Sequence, residues 1–227
     1  MYLSYPKSGN TWVRFLLANA LYPETEVDFH TIHELIPEVG KEGMHQETLP
    51  RPRLLKSHAP YRAVYPQTIY ILRDGRDVYA SYYHYNQPNL PDETTFSDFI
   101  NSSLWPNRWS EHVHGWIDAA AARDNVLVVR FESLKKDSAR ELKRMLNFIG
   151  QQVPEYQIEQ AAGASSFESM RRLEEERGRK YGKVERFVRK GKAGGWRSMF
   201  TKNEKDIFKR KDGGVLVECG YEEGNNW

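Results

Sequence analysis

The chain has 227 residues and a net charge of only +2, because 33 lysines and arginines stand against 31 acidic residues. This balance argues against a general nucleic-acid binder, and the 13% of aromatic residues argues against a disordered chain. The sequence has neither an apolar run long enough to span a membrane nor the pattern of a secretory signal, so we expect no membrane partner. Cys219 is the only cysteine, which excludes an intrachain disulfide and favours a cytoplasmic protein.

Short strands and helices are predicted to alternate along the chain. We expect strands over residues 2–5, 53–57, 68–72 and 125–131, and helices over residues 11–21, 77–85, 109–123 and 137–149. Gly150 follows the last of these helices, where a left-handed cap is common. No repeat, linker or low-complexity tract divides the chain, so we expect a single domain over residues 1–227. The alternation predicts a three-layer α/β fold, in which helices flank a mostly parallel central sheet.

The last third of the chain contains a basic segment that is interrupted by glycines. Residues 177–197 hold nine lysines and arginines and a single acid, Glu185. Such a segment is either a solvated surface loop or a lid that closes on an anion. Composition alone leaves both interpretations open.

A possible anion site lies in the sequence YPKSGNTW, residues 5–12, between the first strand and the first helix. Gly9 allows backbone N–H groups to approach an anion, and the start of the helix adds its positive dipole end. Lys7 supplies a charge, and the hydroxyls of Ser8 and Thr11 supply further donors. The pattern GxxxxGK[ST] of a Walker A loop is absent, since the lysine precedes the glycine. The alternative is a tight turn whose lysine faces solvent.

A lysine and a histidine lie at the end of the second strand, in the sequence LLKSHAP, residues 54–60. His58 has the chemistry of a general base, and Lys56 would favour a negative charge that develops nearby. Taken alone, this motif is weak, and a surface histidine is the simpler interpretation. The other six histidines have no spacing typical of a metal site, so we expect no metal ion.

Two further segments carry candidate phosphate ligands. In LRDGRDVYASYYHY, residues 72–85, Arg73 ends a strand in a position to grip a phosphate with two N–H groups, and Ser81 adds a hydroxyl. The alternative is that Arg73 and Asp77 pair with each other and tie the turn. The second segment is FVRKGKAGGW, residues 187–196, whose clamp on an anionic ligand would consist of Arg189, Lys190 and Gly191. Two phosphate grips, this clamp and the His–Lys pair together indicate a nucleotide with phosphate at two places.

The combined motifs resemble those of the cytosolic-type sulfotransferases, which take a sulfuryl group from 3′-phosphoadenosine-5′-phosphosulfate (PAPS). YPKSGNTW is similar to the 5′-phosphosulfate loop of that family, and LRDGRDVYASYYHY is similar to its 3′-phosphate segment. LLKSHAP resembles the segment that carries the base, and RKGKAGGWRSMFT resembles the RKGxxGDWKNxFT signature. The motifs follow the order of the family from residue 5 to residue 201. The fold that this resemblance implies is a P-loop-like α/β fold.

The resemblance also implies a role for each matching residue. His58 would be the catalytic base, Lys7 and Lys56 would stabilise the sulfuryl group and the leaving phosphate, and no metal would be required. The residues around the 5′-phosphate would be Ser8, Gly9, Asn10 and Thr11. The residues that hold the 3′-phosphate would be Arg73, Ser81, Arg189, Lys190 and Gly191. The adenine would lie near Trp12, Phe131, Ser165 and Phe167, and the nucleotide product would be 3′,5′-adenosine bisphosphate (PAP). Trp12 and Phe167 are equally compatible with the core.

The sequence departs from the family pattern at several places. Asn10 replaces a threonine, Phe131 replaces a tyrosine and so lacks its hydroxyl, and Gly195 replaces the aspartate of GDW. The chain starts at the first strand, without the leading segment that commonly helps to form the acceptor pocket, so we expect an open acceptor site. The dimer motif of the family is not legible after residue 201, so we expect a monomer or a weak dimer.

The acceptor is the least determined part of the prediction. Residues 87–109 are expected to border its site, and the apolar side chains nearby favour a small apolar or aromatic alcohol or phenol. The candidate wall residues are Tyr82, Tyr83, Tyr85, Phe96, Phe99, Leu104 and Trp105.

Two other functions share the same layout of sheet and phosphate loop. A P-loop-like nucleotide kinase or NTPase is disfavoured by the position of Lys7 before the glycine and by the missing GK[ST]. A non-catalytic nucleotide-binding protein is disfavoured by Lys56 and His58, because binding alone needs no base. A transferase is therefore the prediction.

Overall fold

The computed structural model describes residues 1–40, 49, 51–178, 191, 193–224 and 226–227. The strands in these residues are β1 (Tyr2–Ser4), β2 (Lys56–Ser57), β3 (Thr68–Leu72) and β4 (Val126–Arg130). The first five helices are α1 (Asn10–Leu21), α2 (Ile32–Leu35), α3 (Gly75–Asn86), α4 (Phe96–Asn101) and α5 (Trp109–Ala122). The remaining helices are α6 (Phe131–Lys136), α7 (Ser138–Phe148), α8 (Glu155–Ala164), α9 (Phe167–Arg177) and α10 (Lys202–Glu218). No helix among the described residues is both long and apolar enough to cross a membrane.

The four strands form one sheet in the order β2-β1-β3-β4, and every neighbouring pair is parallel. Leu3 of β1 lies between Ser57 of β2 and Tyr70 of β3 in this register. The chain passes from β1 to β2 on one side and then crosses to β3 on the other side. The strand order therefore reverses at β1, and parallel sheets bind ligands outside the carboxyl ends of the strands at such a point.

Each face of the sheet packs on its own hydrophobic cluster. Alternate side chains of a strand point to opposite faces, so Ile69 and Ile71 join the cluster under α1, α7 and α8. Tyr70 and Leu72 join the other cluster, which packs against α3, α5 and α10. The sheet and the helices on its two faces form three layers, with one buried cluster on each side of the sheet. This confirms the predicted P-loop-like α/β fold with a parallel central sheet.

The predicted elements differ from the structure mainly at their ends. The strand expected over residues 53–57 has only two residues, Lys56–Ser57, and the strand expected to reach residue 131 ends at Arg130. Phe131 instead begins α6, and Gly150 has the left-handed conformation expected at a helix end, with φ 73°. The helices that were not predicted are α2, α4, α6, α8, α9 and α10. The longest of them is α10, which was missed although Thr201 and Glu204 form a capping box at its start. The pair Gly213 and Gly214 inside α10 hides its helical pattern, but Ile207, Phe208 and Leu216 bury one face of the helix.

Candidate active site

A cavity of about 880 Å³ opens at the carboxyl edge of the sheet. The segment after each of the four strands contributes to its wall, which is why residues far apart in sequence meet there. The predicted site residues that line the cavity are Lys7, Gly9, Asn10, Thr11, Trp12, Lys56, His58, Arg73, Ser81, Phe131, Phe167 and Gly191. Ser8 and Ser165 are buried behind this wall. Arg189 and Lys190 lie outside the described residues.

The loop after β1 has a left-handed backbone at two positions and lies against the cavity. Lys7 and Gly9 both have positive φ angles, 67° and 96°. A Cβ on Gly9 would lie 2.6 Å from Phe131 Cδ2, so only glycine fits against this ring. No side chain caps the N-terminus of α1 among the described residues, which leaves the amides of its first turn available to a ligand. The loop therefore fits an anion.

Two polar side chains lie beneath this loop. Ser8 Oγ is buried and has no hydrogen-bond partner within the described part of the chain. A buried donor in this state is costly unless a ligand satisfies it. The side-chain amide of Asn10 donates from Nδ2 to Ser4 Oγ at 3.0 Å, so this side chain is engaged by the end of β1.

Lys7 and Arg73 are held at the same side of the cavity. Arg73 Nη1 donates to the carbonyl oxygen of Lys7 at 2.8 Å, and its guanidinium lies 4.3 Å from the centre of the Phe131 ring. Lys7 Nζ lies 4.1 Å from the centre of the Tyr85 ring. Burial lowers the pKa of Arg73, but the group stays charged because its ordinary pKa is above 12. The cavity thus contains two fixed cations on neighbouring loops.

Asp77 ties the downstream end of the basic segment to α3. Its carboxylate accepts hydrogen bonds from the backbone N–H of Gly194 at 2.6 Å and of Trp196 at 2.8 Å. Arg73 Nη2 lies 4.0 Å from the same carboxylate, at the limit of an ion pair. In the alternative interpretation, Arg73 and Asp77 only pair with each other and fix their own turn. Asp77 does more than this, because it anchors a segment more than a hundred residues away.

His58 is oriented by the end of β1. Its Nδ1 lies 2.7 Å from the carbonyl oxygen of Ser4. A carbonyl oxygen can only accept, so Nδ1 carries the proton and Nε2 of the neutral ring has a lone pair. Burial, followed by the charge of Lys56, holds the pKa of His58 well below its usual range. His58 is therefore a neutral ring at pH 7 with a proton-accepting nitrogen.

The side of the cavity predicted for adenine contains aromatic rings. Trp12 Nε1 donates to the carbonyl oxygen of Ser165 at 2.8 Å, and Ser165 Oγ accepts from Asn19 Nδ2 at 3.1 Å. Ser165 thus orients Trp12 rather than facing the cavity. Gly191 has φ 53°, and a Cβ there would lie 2.6 Å from Phe167 Cδ2. Trp12 and Phe167 are half-buried residues of the cavity wall, and Trp12 also packs against the hydrophobic core.

Only some of the predicted acceptor-wall residues line the cavity. Tyr82, Tyr85 and Trp105 do, together with Met199. Trp105 is 61% exposed, and its ring lies edge-on to His58 with centroids 5.9 Å apart. The predicted wall residues that instead pack in or against the hydrophobic core are Tyr83, Phe96, Phe99 and Leu104. They do so because α4 turns its apolar side toward α3 and α10.

Comparison with known proteins decides the family. The sulfotransferase domain family matches residues 1–211. Sulfotransferase 1A1 of Bos taurus is 30% identical over 249 residues, which cover 95% of this chain and 82% of that protein. Sulfotransferase 1C2 of Homo sapiens is 27% identical over 247 residues, covering 94% of this chain and 83% of that protein. The chain belongs to the cytosolic-type sulfotransferases. It is therefore an enzyme of sulfuryl transfer.

Solved structures share the fold of this sulfotransferase. The mouse sulfotransferase SULT7A1 complexed with PAP has a TM-score of 0.73 at 22% identity, and the match covers 98% of this chain and 88% of that chain. Retinol dehydratase in complex with retinol and PAP has a TM-score of 0.74 at 22% identity, with 95% and 80% covered.

Several polar side chains in or next to the cavity were not predicted as site residues, among them Glu38, Lys135 and His112. Glu38 lines the cavity and lies 2.8 Å from Lys56 Nζ, and Lys135 lines it with Nζ 5.7 Å from the centre of the Trp12 ring. His112 lies beneath His58, its Nε2 at 3.1 Å from the carbonyl oxygen of His58. Each belongs to a segment without a recognisable motif, and the only signal for His112 was its place on the buried side of a predicted helix.

His112 makes the stability of the sulfotransferase depend on pH. Burial lowers its pKa from 6.5 to about 4. The unfolded chain binds this proton first, so we expect the free energy of unfolding to fall as the pH drops from about 6.5 toward 4, by roughly 2–3 kcal/mol in total. Urea unfolding at several pH values measures this. His112→Gln should make the slope between pH 6.5 and 5 shallower, and the slope that remains is expected from His58, whose pKa is also lowered by burial. An unchanged slope in His112→Gln would contradict the assignment.

Proposed function

We propose that this sulfotransferase moves a sulfuryl group from PAPS to the hydroxyl of a small apolar or aromatic alcohol or phenol, with His58 as the general base. The observation that carries the proposal is the tautomer of His58. Its Nδ1 is held by the carbonyl oxygen of Ser4 at 2.7 Å, so Nε2 can accept a proton in the cavity that also contains Lys7 and Lys56.

The phosphate groups of PAPS fit the two cationic loops. The 5′ end would bind the loop after β1, where Gly9 and the first turn of α1 offer N–H groups and the Ser8 hydroxyl is buried without a partner among the described residues. The 3′-phosphate would bind Arg73 and Ser81, with Arg189, Lys190 and Gly191 contributed by the basic segment. Trp12 and Phe167 would flank the adenine, beside Phe131. When bound, PAPS supplies a sulfuryl group on a phosphate that departs as part of PAP.

The side chains of the enzyme then have separate tasks. His58 Nε2 takes the proton of the acceptor hydroxyl as that oxygen becomes nucleophilic. Lys7 and Lys56 stabilise the negative charge that spreads over the sulfuryl oxygens and the departing phosphate oxygen. Both lysines line the same cavity as the base. Because fixed cations and the N-terminus of α1 supply this stabilisation, we expect no metal requirement.

The acceptor class is inferred from the cavity wall near the base. Tyr82, Tyr85, Trp105 and Met199 give this wall an aromatic and apolar surface. Such a surface favours a flat or apolar molecule over a sugar chain. Similar structures hold retinol or androsterone, which are apolar molecules with a hydroxyl or related oxygen function.

We also propose that residues 1–227 form one domain and that residues 177–197 act as a lid over the nucleotide. The contact of Gly191 with Phe167 and the anchoring of residues 194–196 by Asp77 support the lid, because both lie at its downstream end. We further propose a monomer or weak dimer in the cytoplasm; the single cysteine supports the compartment.

Calorimetric titration with PAP tests the proposed donor. We expect PAP to bind much more tightly than AMP, because it engages both phosphate sites, and to bind equally well with Mg²⁺ or with EDTA. ATP serves as the control nucleotide, with and without Mg²⁺. A preference for ATP with Mg²⁺ would overturn the proposal in favour of a kinase or NTPase. Loss of PAP binding in EDTA would contradict the expected metal independence.

A further inference from the structure

Glu38 stands next to one of the two proposed catalytic lysines, and the proposed reaction does not use it. Residues 36–39 run along the outer edge of β2. Lys56 N donates to the carbonyl oxygen of Pro37 at 2.9 Å, and Val39 N donates to the carbonyl oxygen of Lys56 at 2.9 Å. Glu38 and Lys56 therefore lie side by side in a short parallel bridge. Backbone hydrogen bonds thus fix the position of Glu38 beside Lys56.

The two side chains form an ion pair on the cavity wall. Lys56 Nζ lies 2.8 Å from Glu38 Oε2, and both residues line the cavity. The side chains are only 13% and 24% exposed, so solvent screens the pair weakly. In the ligand-free enzyme, the carboxylate thus offsets most of the positive charge at Lys56.

This ion pair conflicts with the task proposed for Lys56. A lysine that is paired with a carboxylate stabilises a negatively charged sulfuryl group less, because the negative carboxylate offsets its positive charge. We infer that Glu38 is a positioning residue that holds Lys56 in the ligand-free enzyme and yields it to the sulfuryl group of the bound donor. The inference rests on the proposed function, since it assumes that PAPS is the donor.

The exchange also has a consequence for His58. Lys56 lowers the pKa of His58 and Glu38 raises it, while the carbonyl of Ser4 raises it and His112 lowers it. When Lys56 contacts the sulfuryl group instead of Glu38, the negative charge of Glu38 is no longer paired with that of Lys56. It would then stabilise the protonated form of the His58 ring. This is the form that His58 reaches after it accepts the proton of the acceptor.

Calorimetric binding of PAPS and PAP to the full chain tests the inference without an acceptor. PAPS carries the sulfuryl group and PAP does not, so the ratio of their affinities reports the contact with Lys56. In Glu38→Gln, PAPS no longer competes with the carboxylate. We expect PAPS to bind roughly fivefold more tightly, with the affinity for PAP nearly unchanged. Glu34→Gln, an exposed position on α2, removes the same charge and should change neither affinity.

A double-mutant cycle separates exchange at Lys56 from a general change of cavity charge. In a Lys56→Met background, Glu38→Gln should have no effect on the ratio of PAPS to PAP affinity, because the lysine that is exchanged is absent. An unchanged ratio in Glu38→Gln alone, or weaker binding of PAPS, would overturn the inference. The same ratio change in the Lys56→Met background would overturn it as well. If wild-type protein binds neither nucleotide, the proposed function fails and takes this inference with it.

Discussion

His58→Asn is expected to lower kcat by roughly 10²–10⁴-fold while the affinity for PAP stays nearly unchanged. Asparagine can keep the hydrogen bond to the carbonyl oxygen of Ser4, which His58 Nδ1 makes at 2.7 Å, but it offers no basic nitrogen at the position of Nε2. The loss should therefore fall on the chemical step and not on nucleotide binding. Sulfation of a probe acceptor such as 2-naphthol with PAPS measures kcat, and calorimetry with PAP measures binding.

Two further variants sharpen this prediction. His58→Ala removes both the base and the hydrogen bond, so it should lose about as much kcat as His58→Asn if the base dominates. His114→Asn, on the exposed side of α5, should behave as wild type. Because the pKa of His58 is lowered, the acidic limb of kcat/KM should lie below the ordinary histidine value near pH 6.5. Full activity in His58→Asn would show that the residue is structural.

Gly9→Ala is expected to weaken PAP binding by roughly a hundredfold. The residue has φ 96°, which costs an alanine about 1–2 kcal/mol, and the new Cβ would lie 2.6 Å from Phe131 Cδ2. The loop after β1 must shift to relieve this contact, and its N–H groups then lose their aim at the 5′-phosphate. Loss of one or two hydrogen bonds to a charged group accounts for an effect of this size. Calorimetry with PAP is the measurement.

Gly150→Ala is the matched control for Gly9→Ala. Gly150 also has a positive φ, 73°, but a Cβ there would meet nothing within 4 Å. This variant carries the backbone strain alone, at the end of α7 and outside the cavity wall, so it should lose some stability and keep its affinity for PAP. Equal losses of PAP affinity in the two variants would contradict the role of the Gly9 loop. An unaffected Gly9→Ala would contradict it as well.

Much of the fold and of the candidate site could be predicted from the sequence, because both depend on short local sequence patterns. Lys7 and Arg73 follow β1 and β3, Lys56 lies in β2 and His58 directly after it, and a glycine or proline lies close to each of them in the sequence. Parallel strands bring such positions to one edge of the sheet, so the clustering of these residues follows from the fold class. The helix α10 was not predicted at all, because Gly213 and Gly214 in its interior interrupt the helical pattern.

The partners of these side chains required the folded structure. Asp77 binds backbone amides at Gly194 and Trp196, and His58 binds the carbonyl of Ser4, across 54 positions. The ion pair of Glu38 with Lys56 depends on a bridge at the edge of β2. A hydrogen bond or ion pair between distant segments produces no pattern in the sequence. An aspartate or glutamate that makes one cannot be distinguished from any other until its neighbours in the fold are known. The local sequence around each strand end was thus enough to predict which side chains lie at the candidate site. Packing between distant segments decided their protonation, their orientation and the charged groups that they pair with.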